Sequence, residues 1–440
     1  MDTFLFSGSR AAALARLAKV DAHAYAQTRN ALDGAVTGLS PWITHGIATL
    51  PDVLAGIARA QPADRRIDPQ HKLVFELGWR AYFQHVWTHR GDAILRSLHG
   101  GPLPDAAYAH GVPLDVREGR TGLPVIDQAI RTLYATGTLH NHARLWLASY
   151  LVHLRKVHWR SGAEWLVGHL LDGDVGSNHL SWQWVAGTSS QKPYLFNADN
   201  VARHAPAAWH SPGTVVDLSY EWLERLARQP RPVPTQPRME GVTEPVLLHG
   251  PPAALGFHTP EPALVRHRHV WLVHPWSMGE VPPDLPPDTL VLAMAVREVH
   301  AARPWSAARW RFVGERLDEL TPHRWIASNH DWPLALQGAR SVQTVANLHL
   351  PRLLESIAAT RPAAALFPEV ERPCTSFSQW WTRVSRAPSA ALLTALQRDP
   401  TGTPDDKRSD PHTPQPVADD ARPRDGRTRW HRPAGLPAAA

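Results

Sequence analysis

Apolar residues in the first half of the chain recur at three- and four-residue spacing, the period of a helix with one buried face. Leu73, Leu77, Tyr82 and Val86 form one such stripe. The run from Pro124 to Thr136 has Pro at its start and Gly137 just past its end, which is how helices are commonly punctuated. No alternating apolar strand interrupts residues 21–228, which read as all-α. Residues 229–245 open with the Pro- and Arg-rich run Gln229 to Pro237 and read as a linker. Beyond them the period shortens. Val270–His274, Leu290–Val296, Trp325–Ser328 and Val342–Leu348 are strand-like, and helical patterns stand at Ser306–Leu320 and Pro351–Thr360. Strands alternating with helices predict a smaller α/β layer domain over 246–386. It carries no glycine-rich phosphate loop. Residues 387–440 hold few large apolar side chains among many Pro, Asp, Arg and Thr, which predicts a disordered tail. Residues 1–20 read as an N-terminal extension without a signal-peptide core.

Composition narrows this picture. At 440 residues the chain exceeds what one core usually serves, so several domains are expected. The single Cys374 excludes a disulfide framework and cannot build a zinc finger or an iron–sulfur cluster. Lys and Arg total 46 against 40 Asp and Glu, a net +6 that permits nucleic-acid binding without demonstrating it. No stretch reaches the ~18–20 apolar residues of a membrane span, so a cytoplasmic protein with no membrane partner is expected. The 19 Trp are far above the usual ~1% and ask for a role beyond packing.

Candidate chemistry is concentrated in a few segments. They are Leu39-Ser40-Pro41-Trp42 with His45-Gly46, Glu76-Leu77-Gly78-Trp79-Arg80, Gly119-Arg120-Thr121-Gly122, Thr138 to Arg144, and Leu171 to Trp184. Asp172 and Asp174 could ligate a divalent cation, but the EF-hand spacing and its terminal Glu are missing, and no metal is assigned. Pairing of these acids with Arg144 on the preceding helix fits better.

In their order and spacing these segments resemble the FAD-binding helical domain of the DNA photolyase and cryptochrome family. The resemblance covers about Tyr25 to Tyr220. It implies that Tyr25, Thr37, Leu39 and Ser40 hold the FAD pyrophosphate. Gly38 stands where the family often has Arg, so backbone N–H groups are expected to carry more of that grip. Arg80 and Glu76 would line flavin and substrate cavity, and Asn141 and Arg144 would sit beside the ring. Asp172 and Asp174 would approach its N3–H edge, and Asn178 would face N5. The family's light-driven chemistry passes an electron from reduced flavin to a cyclobutane pyrimidine dimer flipped out of DNA. The resemblance makes Trp79 and Trp184 the walls that stack on the dimer, and Glu76 its hydrogen-bond partner. Leu145 takes the place of a common Met, and His142 that of an Arg contacting DNA backbone. Asn141 and Leu145 occupy the positions of the His pair of (6-4) enzymes, which favours cyclobutane dimers. Trp182 and Trp159 match the inner members of the tryptophan electron chain. The outer Trp has no match near Ala106, where Tyr108 is the nearest redox-capable side chain. The stretch from Lys192 to Asn197 resembles the family's Pro-Tyr-aromatic loop in a shorter form.

The fold expected is therefore multi-domain: an all-α, photolyase-type FAD domain, then a smaller α/β domain and a disordered tail. The chain reads as a short member lacking the usual N-terminal antenna domain, with an α/β layer in swapped order or unrelated to it. The leading function is light-driven repair of cyclobutane dimers by a carbon–carbon lyase acting on DNA as a monomer. The alternative is a cryptochrome-like blue-light photoreceptor without repair, and a third reading is a flavin-binding nucleic-acid module without light chemistry. The sequence identifies neither an antenna chromophore nor protein partners.

Overall fold

The computed structural model describes residues 6–397. Its first half is a succession of helices: α1 (Arg10–Leu17), α2 (Ala22–Thr28), α3 (Ser40–Thr44), α4 (Leu50–Ala60), α5 (Lys72–Arg90), α6 (Leu114–Arg117), α7 (Pro124–Thr136), α8 (Asn141–Ser149), α9 (Trp159–His169), α10 (Val175–Ala186), α11 (Ala198–His204) and α12 (Tyr220–Ala227). Oxygen-bearing caps begin many of them. Ser9, Asp21, Thr49, Asp174, Asn197 and Ser219 each accept a first-turn N–H, satisfying a donor the helix cannot. Helices α5, α8 and α9 start instead on His71, His140 and His158, whose Nδ1 accepts the N–H two residues on. Helix α7 spans the residues its punctuation predicted and closes on Gly137 in the left-handed conformation.

The second half is α/β: β1 (Leu247–Leu248), α13 (Pro262–Val265), β2 (His269–Val273), β3 (Leu290–Val296), α14 (Arg297–Ala302), β4 (Trp305–Ser306), α15 (Ala307–Leu320), β5 (Arg324–Ala327), α16 (Asp331–Leu336), β6 (Ser341–Val345), α17 (Pro351–Ile357), β7 (Ala359–Arg361), α18 (Phe377–Arg386) and α19 (Ala390–Leu396). Five strands pair in parallel in the order β5-β3-β2-β6-β7. Strand β3 is buried at all but one position, as expected of a parallel strand covered on both faces. The sheet grows outward from β2 on one side, then reverses to β6 and β7. That reversal leaves a crevice outside the carboxyl ends of β2 and β6. Trp276 and His349 follow those strands and line a cavity there with Trp87 and Asp92 of the helical half.

One apolar core runs from α1–α5 into the sheet, and a second is centred on α7–α10. The two halves therefore share a core and are not merely tethered. The segment read as a linker lies extended along the helices: Val233, Arg238 and Val242 donate their N–H groups to the carbonyls of Leu154, Arg120 and Glu118. The boundaries at both ends need correction. Residues 10–17, read as extension, form a helix that buries Ala13 and Leu17 and packs on α4. Residues 390–396, read as tail, form α19, which buries Leu392 and Ala395 and also packs on α4. Helix α18 returns to α5. The rest of the tail, 398–440, lies outside the described residues. Among the described residues no helix is long and apolar enough to cross a membrane.

Candidate functional site

A cavity with two lobes opens among α2, α3, α8 and α10. Arg80, Asn141, Arg144, Leu145, Ala148, Asp172, Ser177, Asn178, Ser181, Trp182 and Val185 line the deep lobe. Tyr25, Arg29, Asn30, Thr37, Gly38, Ser40, His140 and His142 are among those lining the outer lobe. Asn141, Arg144 and Asp172 border both. Both lobes are open to solvent, and the non-atom space in and before them is about 460 and 930 Å³.

Helix caps and ion pairs fix the lining. Arg144 Nη2 lies 2.9 and 2.8 Å from the two Asp172 oxygens, and its Nε donates to Leu139 O at 2.8 Å. Arg80 Nη2 donates to Thr44 Oγ1 at 2.7 Å. Asn178 spends its Nδ2 on Ala163 O at 2.9 Å, which orients its amide. The Trp182 ring passes over Gly162 so closely that a Cβ there would lie 2.3 Å from Cζ3. Around Gly38, where backbone donors were expected to carry more of the grip, Arg16 of α1 sits 3.1–3.5 Å from the place of a Cβ. It donates to Thr37 O at 2.6 Å and Val36 O at 2.5 Å, clamping the turn.

Several expected site residues lie elsewhere. Leu39 is fully buried in the apolar core, and Asp174 caps α10 through Ser177 N at 2.7 Å; neither lines a lobe. Burial alone would raise the Asp174 carboxyl, but Arg80, His349 and the Ser177 N–H hold it below the usual range. Glu76 is 0% exposed and pairs through Oε1 with Lys72 at 2.7 Å and Arg29 at 3.3 Å, while Oε2 has no partner. Burial raises its pKa against the pull of those two cations. Trp79 is half-buried and stacks on Phe377 of α18 at 3.9 Å and 9°. Trp184 lies against Tyr194, in a shallow depression with Tyr220 and Glu221. The two expected dimer walls therefore stand apart: Trp184 lines this depression, and Trp79 lines neither it nor either lobe. His142 is 3% exposed, packed with His140, His204 and Trp146, and pushed down to about 3 by burial and its His neighbours. It is thus a neutral group at the wall of the outer lobe and brings no charge to the DNA-backbone contact that the resemblance assigns to its position. Trp159 lies outside the lining, with Nε1 donating to Ser97 Oγ at 3.0 Å.

The residues to which the sequence assigned no role include Arg29, Asn30, His140, Ser177 and Ser181 in the lining, and Arg16 behind it. Arg29, one helical turn after Tyr25, could have been found from that spacing. The deep lobe sets amide, hydroxyl and guanidinium donors and one carboxylate around an apolar floor, which suits a flat conjugated ring with carbonyl and N–H edges. The outer lobe offers Arg29, Ser40 and Thr37, which suits a diphosphate. A flavin dinucleotide meets both demands.

Residues 73–239 match the FAD binding domain of DNA photolyase. The chain is 32% identical over 194 residues to Cryptochrome DASH of Gloeobacter violaceus, which covers 42% of this chain and 39% of that protein. It is 40% identical over 120 residues to deoxyribodipyrimidine photo-lyase of Streptomyces griseus, over 27% of this chain and 26% of that one. The crystal structure of a Synechocystis cryptochrome aligns with 53% of this chain and 54% of its own at 27% identity and a TM-score of 0.43. The chain thus matches about two fifths of the length of the Gloeobacter relative.

Proposed function

Because residues 73–239 match the FAD binding domain of DNA photolyase, we propose that this chain is a light-driven FAD flavoprotein of the photolyase and cryptochrome family that splits cyclobutane pyrimidine dimers in DNA. The observation that carries the cofactor reading is the two-lobed cavity whose shared wall is Asn141, Arg144 and Asp172. When bound, FAD supplies the blue-light absorption and one-electron chemistry that side chains lack. The protein's part is positional. The Arg144–Asp172 pair presents a fixed carboxylate to an N–H edge, and the clamped Asn178 amide faces the same lobe. Trp182 lines the deep lobe and would be the first electron donor to a ring held there. Trp159 would take the next place in the path, and Tyr108 approaches Trp159 through His158, whose ring lies 5.7 Å from Trp159 and 6.3 Å from Tyr108. Glu76 and Trp79 lie within one turn of Arg80 on α5. Glu76 is buried with Lys72 and Arg29 on its Oε1, and its unpartnered Oε2 is the atom left for a dimer to reach.

A second reading, a photoreceptor without repair, is favoured by the separate placement of Trp79 and Trp184. One experiment separates them. Purified protein is reconstituted with FAD, reduced, and illuminated with dimer-containing single-stranded DNA, with a dark control. Light-dependent loss of dimers supports repair, and bound FAD without dimer loss supports the receptor. Glu76→Gln and Trp79→Ala should lower repair while leaving flavin content near normal. Variants that lose the flavin instead place these residues in cofactor binding.

A further inference from the structure

The turn that carries Asp172 is held from behind by a side chain of the other half of the chain. Arg309, in the first turn of α15, is 0% exposed. Its Nη2 donates to Gly173 O at 3.0 Å and its Nη1 to Val167 O at 3.3 Å, while Nε points at His45 Nε2 at 3.4 Å. The guanidinium lies 3.9 Å from the Trp305 ring centroid. Its contact partners are thus carbonyls, an imidazole and an indole face. Burial pushes it down to about 9, with Asp172 and Asp174 pulling the other way at longer range. His45 is neutral, pushed down to about 3 by burial and by Arg309. As a neutral ring it has one N–H: Nδ1 donates to Pro275 O, leaving Nε2 to accept from Arg309 beside the 171–174 turn. The fit is close: a Cβ on residue 173 would lie 2.6 Å from Arg309 Nη1.

A guanidinium buried without a contacting carboxylate is costly, and an apolar side chain would pack the same interface more cheaply. Something at this place must use the charge or the fork of donors. The turn it holds carries the only carboxylate that lines the deep lobe. Asp172 is itself neutralised by Arg144, which leaves Arg309 as a fixed positive charge behind the lobe wall.

We propose that Arg309 is a positioning and electrostatic residue of the flavin site, through which the α/β half fixes the 171–174 turn and favours the anionic reduced state of the cofactor. This rests on the FAD reading above. Reduction that leaves the ring anionic adds a negative charge to the lobe. A cation fixed in a low-dielectric interior favours that charge, because it needs no reorganisation to meet it. The α/β half then acts on the cofactor without touching it.

The test uses the full chain reconstituted with FAD. Arg309→Met keeps length and removes the charge and its hydrogen bonds, while Arg309→Lys keeps the charge and loses the fork. Flavin-fluorescence titration should show the FAD dissociation constant rising about tenfold in Arg309→Met and a few-fold in Arg309→Lys. Reductive titration against a redox dye should show a more negative midpoint potential in Arg309→Met and a near-wild-type one in Arg309→Lys. Thermal unfolding of the apoprotein checks that each variant is folded. If Arg309→Met fails to fold, Arg309→Lys decides alone: wild-type FAD affinity overturns the positioning role, and a few-fold loss at unchanged potential supports it. A folded Arg309→Met with wild-type affinity and potential overturns the proposal while leaving the FAD reading intact. Equal shifts of potential in both variants overturn the electrostatic part. A wild-type chain that binds no FAD overturns both readings.

Discussion

Gly162 lies in the first turns of α9, where alanine is ordinarily the better residue by about 1 kcal/mol. Here the sign should reverse. A Cβ at this position would lie 2.3 Å from Trp182 Cζ3, 2.4 Å from Cη2 and 3.2 Å from Cε3. Close-packed interiors leave no slack, so the ring must retreat by roughly 1 Å. Trp182 is 2% exposed, and the deep lobe is the open space beside it. Overpacking costs about 1–3 kcal/mol. Set against the helix gain, the apoprotein should lose roughly 0–2 kcal/mol. The cofactor should suffer more, because the displaced ring occupies its space; FAD affinity should fall about tenfold or more, tenfold being ~1.4 kcal/mol. Fluorescence titration with FAD and urea unfolding of the apoprotein measure the two effects separately. Gly100→Ala is the control, since nothing lies within 4 Å of its Cβ position. Unchanged affinity together with a more stable Gly162→Ala apoprotein would refute Trp182 as a wall of the flavin lobe.

Three further outcomes are expected. Asp172→Asn should destabilise by somewhat less than the ~3–5 kcal/mol of a fully buried broken pair, because Arg144 is 20% exposed; it should also release FAD on gel filtration, and full retention would count against the Arg144–Asp172 wall. His45, His179, His300 and His349 are pushed from 6.5 to about 3, chiefly by burial. Below about pH 6.5 the unfolded chain therefore binds protons that the folded one refuses, and stability should fall toward pH 3 by up to ~1.4 kcal/mol per pH unit per His. Urea midpoints at about pH 7.5 and 5.5 check this sign, and a higher midpoint at the lower pH contradicts it. Under blue light with an external reductant, Trp159→Phe should nearly abolish flavin photoreduction and Tyr108→Phe should slow it several-fold; an unchanged rate in Tyr108→Phe removes it from the path.

Elements whose boundaries rest on local chemistry were legible. Helix α7 announces itself by Pro124 and Gly137, and β3 by an unbroken apolar run, because a strand buried on both faces needs no polar side. Helices capped by His were harder to bound, since His71, His140 and His158 do not resemble the usual Ser, Thr, Asp or Asn caps. Strand β7 was missed because it is a three-residue edge strand with two exposed positions. Helices α18 and α19 sit in a polar, Pro-rich context. Several of their apolar residues pack on partners roughly three hundred positions away, such as Phe377 against Trp79.

The site divides along the same line. Residues that face the cavity from within one helix or turn, such as Asn141, Arg144, Asn178 and Trp182, were marked by spacing and resemblance, and the structure brings them to one lobe. The residues that position them were not. Arg16 and Arg309 carry no sign of their roles in the sequence, because amphipathic periodicity cannot tell an arginine facing water from one threaded into another element's carbonyls. The cost of burying a charge makes such a residue informative once it is seen. At Gly38 and Gly173 the glycine leaves room for a guanidinium from elsewhere: Arg16 of α1 at the first, Arg309 of the α/β half at the second. A Gly38→Ala or Gly173→Ala chain should therefore weaken FAD binding through the arginine it displaces. At Gly173 the Cβ would lie 2.6 Å from Arg309 Nη1 but also 2.4 Å from Val167 O. An arginine can swing and a backbone carbonyl cannot, so Gly173→Ala should be the more disruptive of the two. Combining it with Arg309→Met should cost less than the sum of the single changes, because both act on one contact. Strict additivity of the two losses in FAD affinity would show that the turn and the arginine act independently.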